Sequence, residues 1–166
     1  LFGESSATVY EILMTMTVDT VQPSCPSPND HQGVSNRRWS ELGLIEGFFG
    51  KSWSWQQRQD YASWLSHHGY GFYIYAPKDD GYLRRHWQLP WPAAQLDQLK
   101  NLANSYRAAG LAFGVGLTPL GAHHDYPRQR DQLLAKVKLI DDELAPDILA
   151  VLFDDMPSDT PALASL

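Results

Sequence analysis

Four short apolar runs set the fold: Leu44–Phe49 (LIEGFF), Gly71–Ala76 (GFYIYA), Leu111–Leu117 (LAFGVGL) and Ile148–Phe153 (ILAVLF). None alternates polar with apolar residues, so each reads as a strand buried on both faces. Between them lie three stretches of helical period. Over Ser54–His68, the residues Tyr61, Trp64, Leu65 and His68 share one face, with Ser54 as N-cap and Gly69 as stop. Over Ala93–Ala109, Leu96, Leu99, Ala103 and Tyr106 share a stripe that Gly110 ends. Over Arg128–Leu144, Leu133, Val137, Ile140 and Leu144 stay in phase. The order β-α-β-α-β-α-β predicts an α/β fold, a parallel sheet covered by helices. Two closures remain open, a doubly wound sheet and a (β/α)8 TIM barrel. No GxGxxG follows the first strand, although Gly47 and Gly50 are present. A complete barrel takes about 250 residues, and the patterned part of this chain is about half that. As a barrel it would hold about four βα units, a truncated half-barrel.

Residues 1–42 carry no sustained period. Val21–Asn36 is rich in Pro, Ser and Asn and reads as linker, and the whole stretch is expected to be an irregular or disordered leader. Val9, Ile12, Leu13 and Met16 do stand at helical spacing. The 166 residues are 43% hydrophobic and 19% charged, too apolar for a disordered chain. The single cysteine, Cys25, rules out an intrachain disulfide and a Cys-based zinc site. A formal charge of −6 argues against a nucleic-acid partner, whose phosphates want a basic face. No run of about 18 apolar residues predicts a membrane span. Ala7–Val18 makes a poor signal peptide, because Glu11 interrupts it and Glu4 precedes it. The sequence leaves the compartment open, with the cytoplasm slightly favoured.

In a parallel sheet the chemistry sits beyond the C-terminal strand ends. Those ends carry Glu46–Gly50, Pro77–Asp80, Thr118–Pro119 and Asp154–Asp155. The Asp154–Asp155 pair has two readings: a solvated strand end with Asp155 capping the next turn, or an acid–base pair. Two neighbouring carboxylates resist double ionisation, so one can hold a proton near neutral pH while the other stays anionic. Adjacent residues on a regular strand point to opposite faces. Both can serve one site only if the strand ends near Asp154. Lys78 is either a surface lysine or an ammonium facing a ligand. Gly47 is either a tight bend or a place where a ligand hydroxyl meets the backbone. His123, His124 and Asp125 lack partners at metal-ligand spacing. His67–His68 reads as a helix end. Trp87 and Trp91 are core residues or a sugar-stacking platform, and Arg84–Arg85–His86 reads as a solvated basic face.

Three motifs in order, Leu44–Trp53 (LIEGFFGKSW), Tyr73–Asp80 (YIYAPKDD) and Leu152–Met156 (LFDDM), resemble the catalytic domain of glycoside hydrolase family 84. That family comprises β-N-acetylglucosaminidases, including protein O-GlcNAcases. The resemblance covers about residues 43–157 and implies a (β/α)8 barrel. Residues 43–166 would then be the N-terminal half of the catalytic domain. It implies a retaining, substrate-assisted mechanism without cofactor or metal, an exception to the usual enzyme nucleophile. Asp154 would orient the substrate's 2-acetamido group, and Asp155 would act as general acid and then base. Lys78 and the backbone of Gly47 would contact the sugar. The expected partner is a carbohydrate bearing β-linked N-acetylglucosamine, with no nucleic acid and no membrane. Phe49 stands where many members have Tyr, and Lys51–Ser52 where many have Arg-Pro. The Tyr, Trp, Asn and Asp that complete the family's site lie in its second half, beyond this sequence. The chain is therefore expected to be a fragment that is inactive alone. Two alternatives are a non-catalytic carbohydrate-binding or interaction domain of the same fold, and a metal-dependent hydrolase built on Asp154, Asp155 and His123 or His124.

Overall fold

The computed structural model describes residues 42–122 and 126–152, with 126 and 127 described by backbone alone. All of them belong to the compact unit Arg37–Leu166. The expected alternation is present: β1 (Gly43–Glu46), α1 (Trp55–His67), β2 (Phe72–Tyr75), α2 (Ala93–Ala108), β3 (Ala112–Leu117), α3 (Tyr126–Leu144) and β4 (Ile148–Val151). A 3₁₀ turn at Gly81–Leu83 interrupts the long loop after β2. The four strands are all parallel and lie in the order β1-β2-β3-β4. A doubly wound sheet reverses its strand order beside its first strand. Sequential order is that of a singly wound barrel wall.

Local chemistry explains where the helices start and stop. Ser54 Oγ accepts the Gln57 N–H at 3.2 Å, and Gln57 Oε1 accepts the Ser54 N–H at 2.8 Å, a reciprocal capping box. Gly69 and Gly110 take φ of +79° and +82°. That left-handed turn lets the next N–H return to the last helical turn, Tyr70 to the Leu65 carbonyl and Leu111 to that of Tyr106, both at 3.0 Å.

The core lies between sheet and helices. Tyr73, Tyr75, Phe113, Val115 and Leu117 face Leu65, Leu99, Leu102, Tyr106, Ile140 and Leu144, all buried. Trp87 and Trp91, 0% and 5% exposed, are part of this core and form no open platform. On the opposite face of the sheet the strands close around two glycines. A Cβ on Gly116 would stand 2.7 Å from Ala76 Cβ and 3.0 Å from Leu152 Cδ1. Ala76 has no rotamer with which to yield. Gly116→Ala is therefore expected to destabilise the fold by about 1–3 kcal/mol, read as a shifted denaturation midpoint. An unmoved midpoint would contradict this packing.

Two expectations need correction. The first strand was expected to run through Phe49, but β1 ends at Glu46, and Phe48 and Phe49 are exposed. Both phenylalanines pack on loop residues beyond the sheet, which an apolar run cannot reveal. The face of α1 is also rotated. Arg58, Ala62 and Leu65 are buried, whereas Trp64 is 48% exposed. Arg58 is drawn inward by the Glu46 carboxylate. Trp64 lies outside, stacked on His68 at 4.0 Å between ring centroids.

Candidate active site

The strand register sets the loops that carry the expected site residues side by side. Glu46 pairs with Tyr75, and Tyr75 with Val115, so β1 and β2 end side by side. Gly47 follows the first end directly, and Lys78 stands three residues beyond the second. Gly47 donates its N–H to the Ile45 carbonyl at 3.0 Å. Its φ is not positive, and an added Cβ would meet only Ile45 Cγ2 at 3.7 Å. Among the described residues, nothing in the fold demands a glycine there.

Phe49 joins the two loops. Its ring, on a side chain 73% exposed, carries the Lys78 ammonium 5.5 Å and the Arg84 guanidinium 5.8 Å from its centroid. Arg84 corrects the expectation of a solvated basic face: it is buried, whereas Arg85 and His86 are exposed. The loop folds back on the sheet, with the Thr118 N–H donating to the Leu83 carbonyl at 2.9 Å.

Asp79 is exposed, but Asp80 is buried and organises the Lys78 loop. Its carboxylate accepts from the Tyr75 hydroxyl at 3.0 Å and the Trp91 indole at 3.1 Å. It also accepts from the Gln95 amide and the Tyr82 N–H, both at 2.9 Å. Burial raises the Asp80 pKa above the ordinary carboxylate value, against the pull of Trp91, Tyr75, the Tyr82 N–H and Lys136. Lys136, on α3, donates to the Leu89 carbonyl at 2.8 Å and lies 4.2 Å from the Trp91 ring centroid. Burial lowers its pKa to about 8, with Asp80 opposing. The folded state thus binds fewer protons here than the unfolded one between about pH 8 and the usual lysine value of 10.5. Its contribution to stability rises with pH across that window. The stability difference between the parent and Lys136→Met is expected to shift in the parent's favour from pH 8 to pH 10. A pH-independent difference would contradict it.

Glu46 is fully buried at the end of β1. Arg58 grips it with Nε at 2.9 and 3.2 Å from the two oxygens and Nη2 at 2.7 Å, a bidentate pair. The Tyr73 hydroxyl donates to the same carboxylate. Burial, then the Glu46 charge, raises the Tyr73 pKa well above the usual phenol value. The Arg58 guanidinium also lies 4.8 Å from the Trp55 ring centroid and 5.1 Å from that of Tyr75.

The structure thus places Gly47 and Lys78 beyond adjoining strand ends. Asp154 and Asp155 lie outside the described residues, as do His123, His124 and Asp125. Among the described residues, no group of three His, Cys, Asp or Glu side chains is arranged to hold a metal ion. No described helix is long and apolar enough to cross a membrane. Sequence reasoning missed Arg58 and Lys136, named Glu46 and Asp80 at strand ends without giving either a role, and read Arg84 as solvated. A usable signal existed for the first: a carboxylate inside an apolar run needs a buried cation.

The family model described as beta-N-acetylglucosaminidase matches residues 42–164. The protein O-GlcNAcases of Rattus norvegicus and Mus musculus are each 29% identical over 115 residues, 69% of this chain and 12% of theirs. The structure of CpGH84B is similar at 29% identity and a TM-score of 0.62, over 68% of this chain and 20% of its own. A mutant of the Thermobaculum terrenum O-GlcNAc hydrolase is similar at 30% identity and a TM-score of 0.65, over 72% and 26%. The chain therefore spans about an eighth of the length of the curated relatives it matches. The four-stranded wall is part of a (β/α)8-barrel fold.

Proposed function

The chain belongs to the beta-N-acetylglucosaminidase family, and on that premise we propose that the protein carrying it removes terminal β-linked N-acetylglucosamine by a retaining, substrate-assisted route. Its substrate is a glycan or glycoconjugate bearing that sugar. The two assigned sugar contacts, Gly47 and Lys78, follow strand ends that the register sets side by side. Among the described residues, Gly47 has room for a side chain, with only Ile45 Cγ2 in contact range. The match of the family model to residues 42–164, which include both of these loops, carries the reading; the room at Gly47 leaves space for a ligand to approach its backbone.

Asp154 accepts the acetamido N–H and stays anionic. The acetamido oxygen attacks the anomeric carbon as the bond to the leaving oxygen breaks. Asp155 gives that oxygen its proton. The resulting oxazolinium opens when water attacks the same carbon, and Asp155 takes the water's proton. The nucleophile belongs to the substrate and is already near the reacting carbon, which removes the entropic cost of bringing it there. The positive charge on the oxazolinium matches the Asp154 anion.

The test is release of 4-nitrophenol from its β-N-acetylglucosaminide by the full-length protein. Glycan binding without release would leave a carbohydrate-binding domain instead. Gly47→Ala is expected to keep stability within about 0.5 kcal/mol of the parent. It is expected to raise KM about tenfold, the scale of one misfitting methyl group in a pocket. An unchanged KM would remove Gly47 from the site.

A further inference from the structure

The two loops assigned to the sugar are joined beneath the surface by one buried chain of groups. Glu46 immediately precedes Gly47 and is held by Arg58 through both carboxylate oxygens. Arg58 is itself buried, 5% exposed, and its guanidinium lies 5.1 Å from the Tyr75 ring centroid. The Tyr75 hydroxyl donates to Asp80 at 3.0 Å, and Asp80 stands two residues beyond Lys78. We propose that Arg58 is a positioning residue: gripping Glu46 and lying on Tyr75, it fixes the β1 and β2 ends relative to each other, so that the Gly47 backbone and the Lys78 ammonium meet one sugar.

The geometry separates this role from general packing. Arg58 sits on the helix side of the sheet, beneath the strand ends, and acts only through other residues. An aliphatic side chain would fill the same space against Trp55. The planar fork is needed only because two oxygens at one strand end and one ring at the next must be held together. Arg58 is further tied to the helical layer, since its carbonyl accepts the Tyr106 hydroxyl at 3.0 Å. The strand ends are thereby referenced to α2 as well as α1. Tyr75 completes the relay: its ring faces Arg58 while its hydroxyl serves Asp80, so a change at Arg58 is passed to the Lys78 loop. A displacement of about 1 Å at a substrate-holding group is enough to cost much of a site's efficiency.

The inference rests on the functional reading above, and the experiment separates the two. In the full-length protein, KM and kcat for the 4-nitrophenyl β-N-acetylglucosaminide are measured for the parent, Arg58→Lys, Tyr75→Phe and Lys78→Ala. The double variant Arg58→Lys/Lys78→Ala is measured as well. Arg58→Lys keeps the charge and loses the fork. Tyr75→Phe keeps the ring and loses only the link to Asp80, so it remains a test should Arg58→Lys fail to fold. The expected result is a KM raised about tenfold for Arg58→Lys and less for Tyr75→Phe. The loss in the double variant is expected to fall below the product of the single losses, because part of the Arg58 effect passes through the lysine. Multiplicative losses, or unchanged KM in folded Arg58→Lys or Tyr75→Phe, overturn the positioning role while leaving the functional reading in place. A parent that releases no 4-nitrophenol overturns that reading and this inference with it.

Discussion

Asp155→Ala is expected to slow hydrolysis of a substrate with a poor leaving group, such as an alkyl β-N-acetylglucosaminide, by about 10²–10⁴-fold. The same change should slow release of an activated phenol far less. An alkoxide is too basic to leave without a proton, whereas a nitrophenolate leaves unaided. The contrast between the two substrates separates loss of the general acid from loss of the fold, which would affect both equally. Addition of azide should restore part of the activity on the activated substrate, because a small anion can open the oxazoline without a general base. Equal losses on both substrates would contradict the acid role of Asp155.

The second large effect concerns stability. Arg58→Met is expected to cost about 3–5 kcal/mol, since it leaves the Glu46 carboxylate buried without its cation. Glu46 is fully buried, and of its described partners only the Tyr73 hydroxyl would remain. Removing both charges in Glu46→Leu/Arg58→Met should recover most of that loss, since a buried ion pair and an apolar pair of similar volume are often close in stability. Denaturant midpoints of the three proteins decide the matter. A double variant as unstable as Arg58→Met would contradict the account of the cost as an unpaired charge.

The alternation of strands and helices was legible because it is local. GFYIYA and LAFGVGL are continuous apolar runs, and Leu99, Ala103 and Tyr106 repeat at the helical period. Those signals survive without tertiary information, and the sheet uses them as read. The strand order was not legible in the hydrophobic pattern, and only the family resemblance pointed to a barrel. Apolar runs look the same in a barrel wall and a doubly wound sheet, and the sequential order had to be seen.

At the candidate site the sequence pointed to the loops but not to what holds them. Phe48 and Phe49 resemble core residues by hydropathy, yet the exposed Phe49 ring serves two cations. Arg58 resembles a surface residue by charge, yet it lies in the interior because Glu46 is there to receive it. Charge at a single position does not predict burial; a matched pair twelve residues apart does, once both partners are known. Asp79 and Asp80 are adjacent and chemically alike. Only Asp80 meets four donors, and they come from β2, the 3₁₀ turn, Trp91 and α2. Trp87 and Trp91 were ambiguous between core and sugar platform, and burial assigns them to the core.

The central claim is that the substrate's own acetamido group is the nucleophile at this site. It is tested by hydrolysis of 4-nitrophenyl β-glucosaminides whose N-acetyl group carries no, one, two or three fluorine atoms, beside the plain β-glucoside. The account predicts that kcat/KM falls steadily with each fluorine, as the carbonyl oxygen becomes less nucleophilic, and that the glucoside is not turned over. A rate indifferent to fluorine, or a glucoside hydrolysed as fast as the N-acetyl substrate, would contradict it.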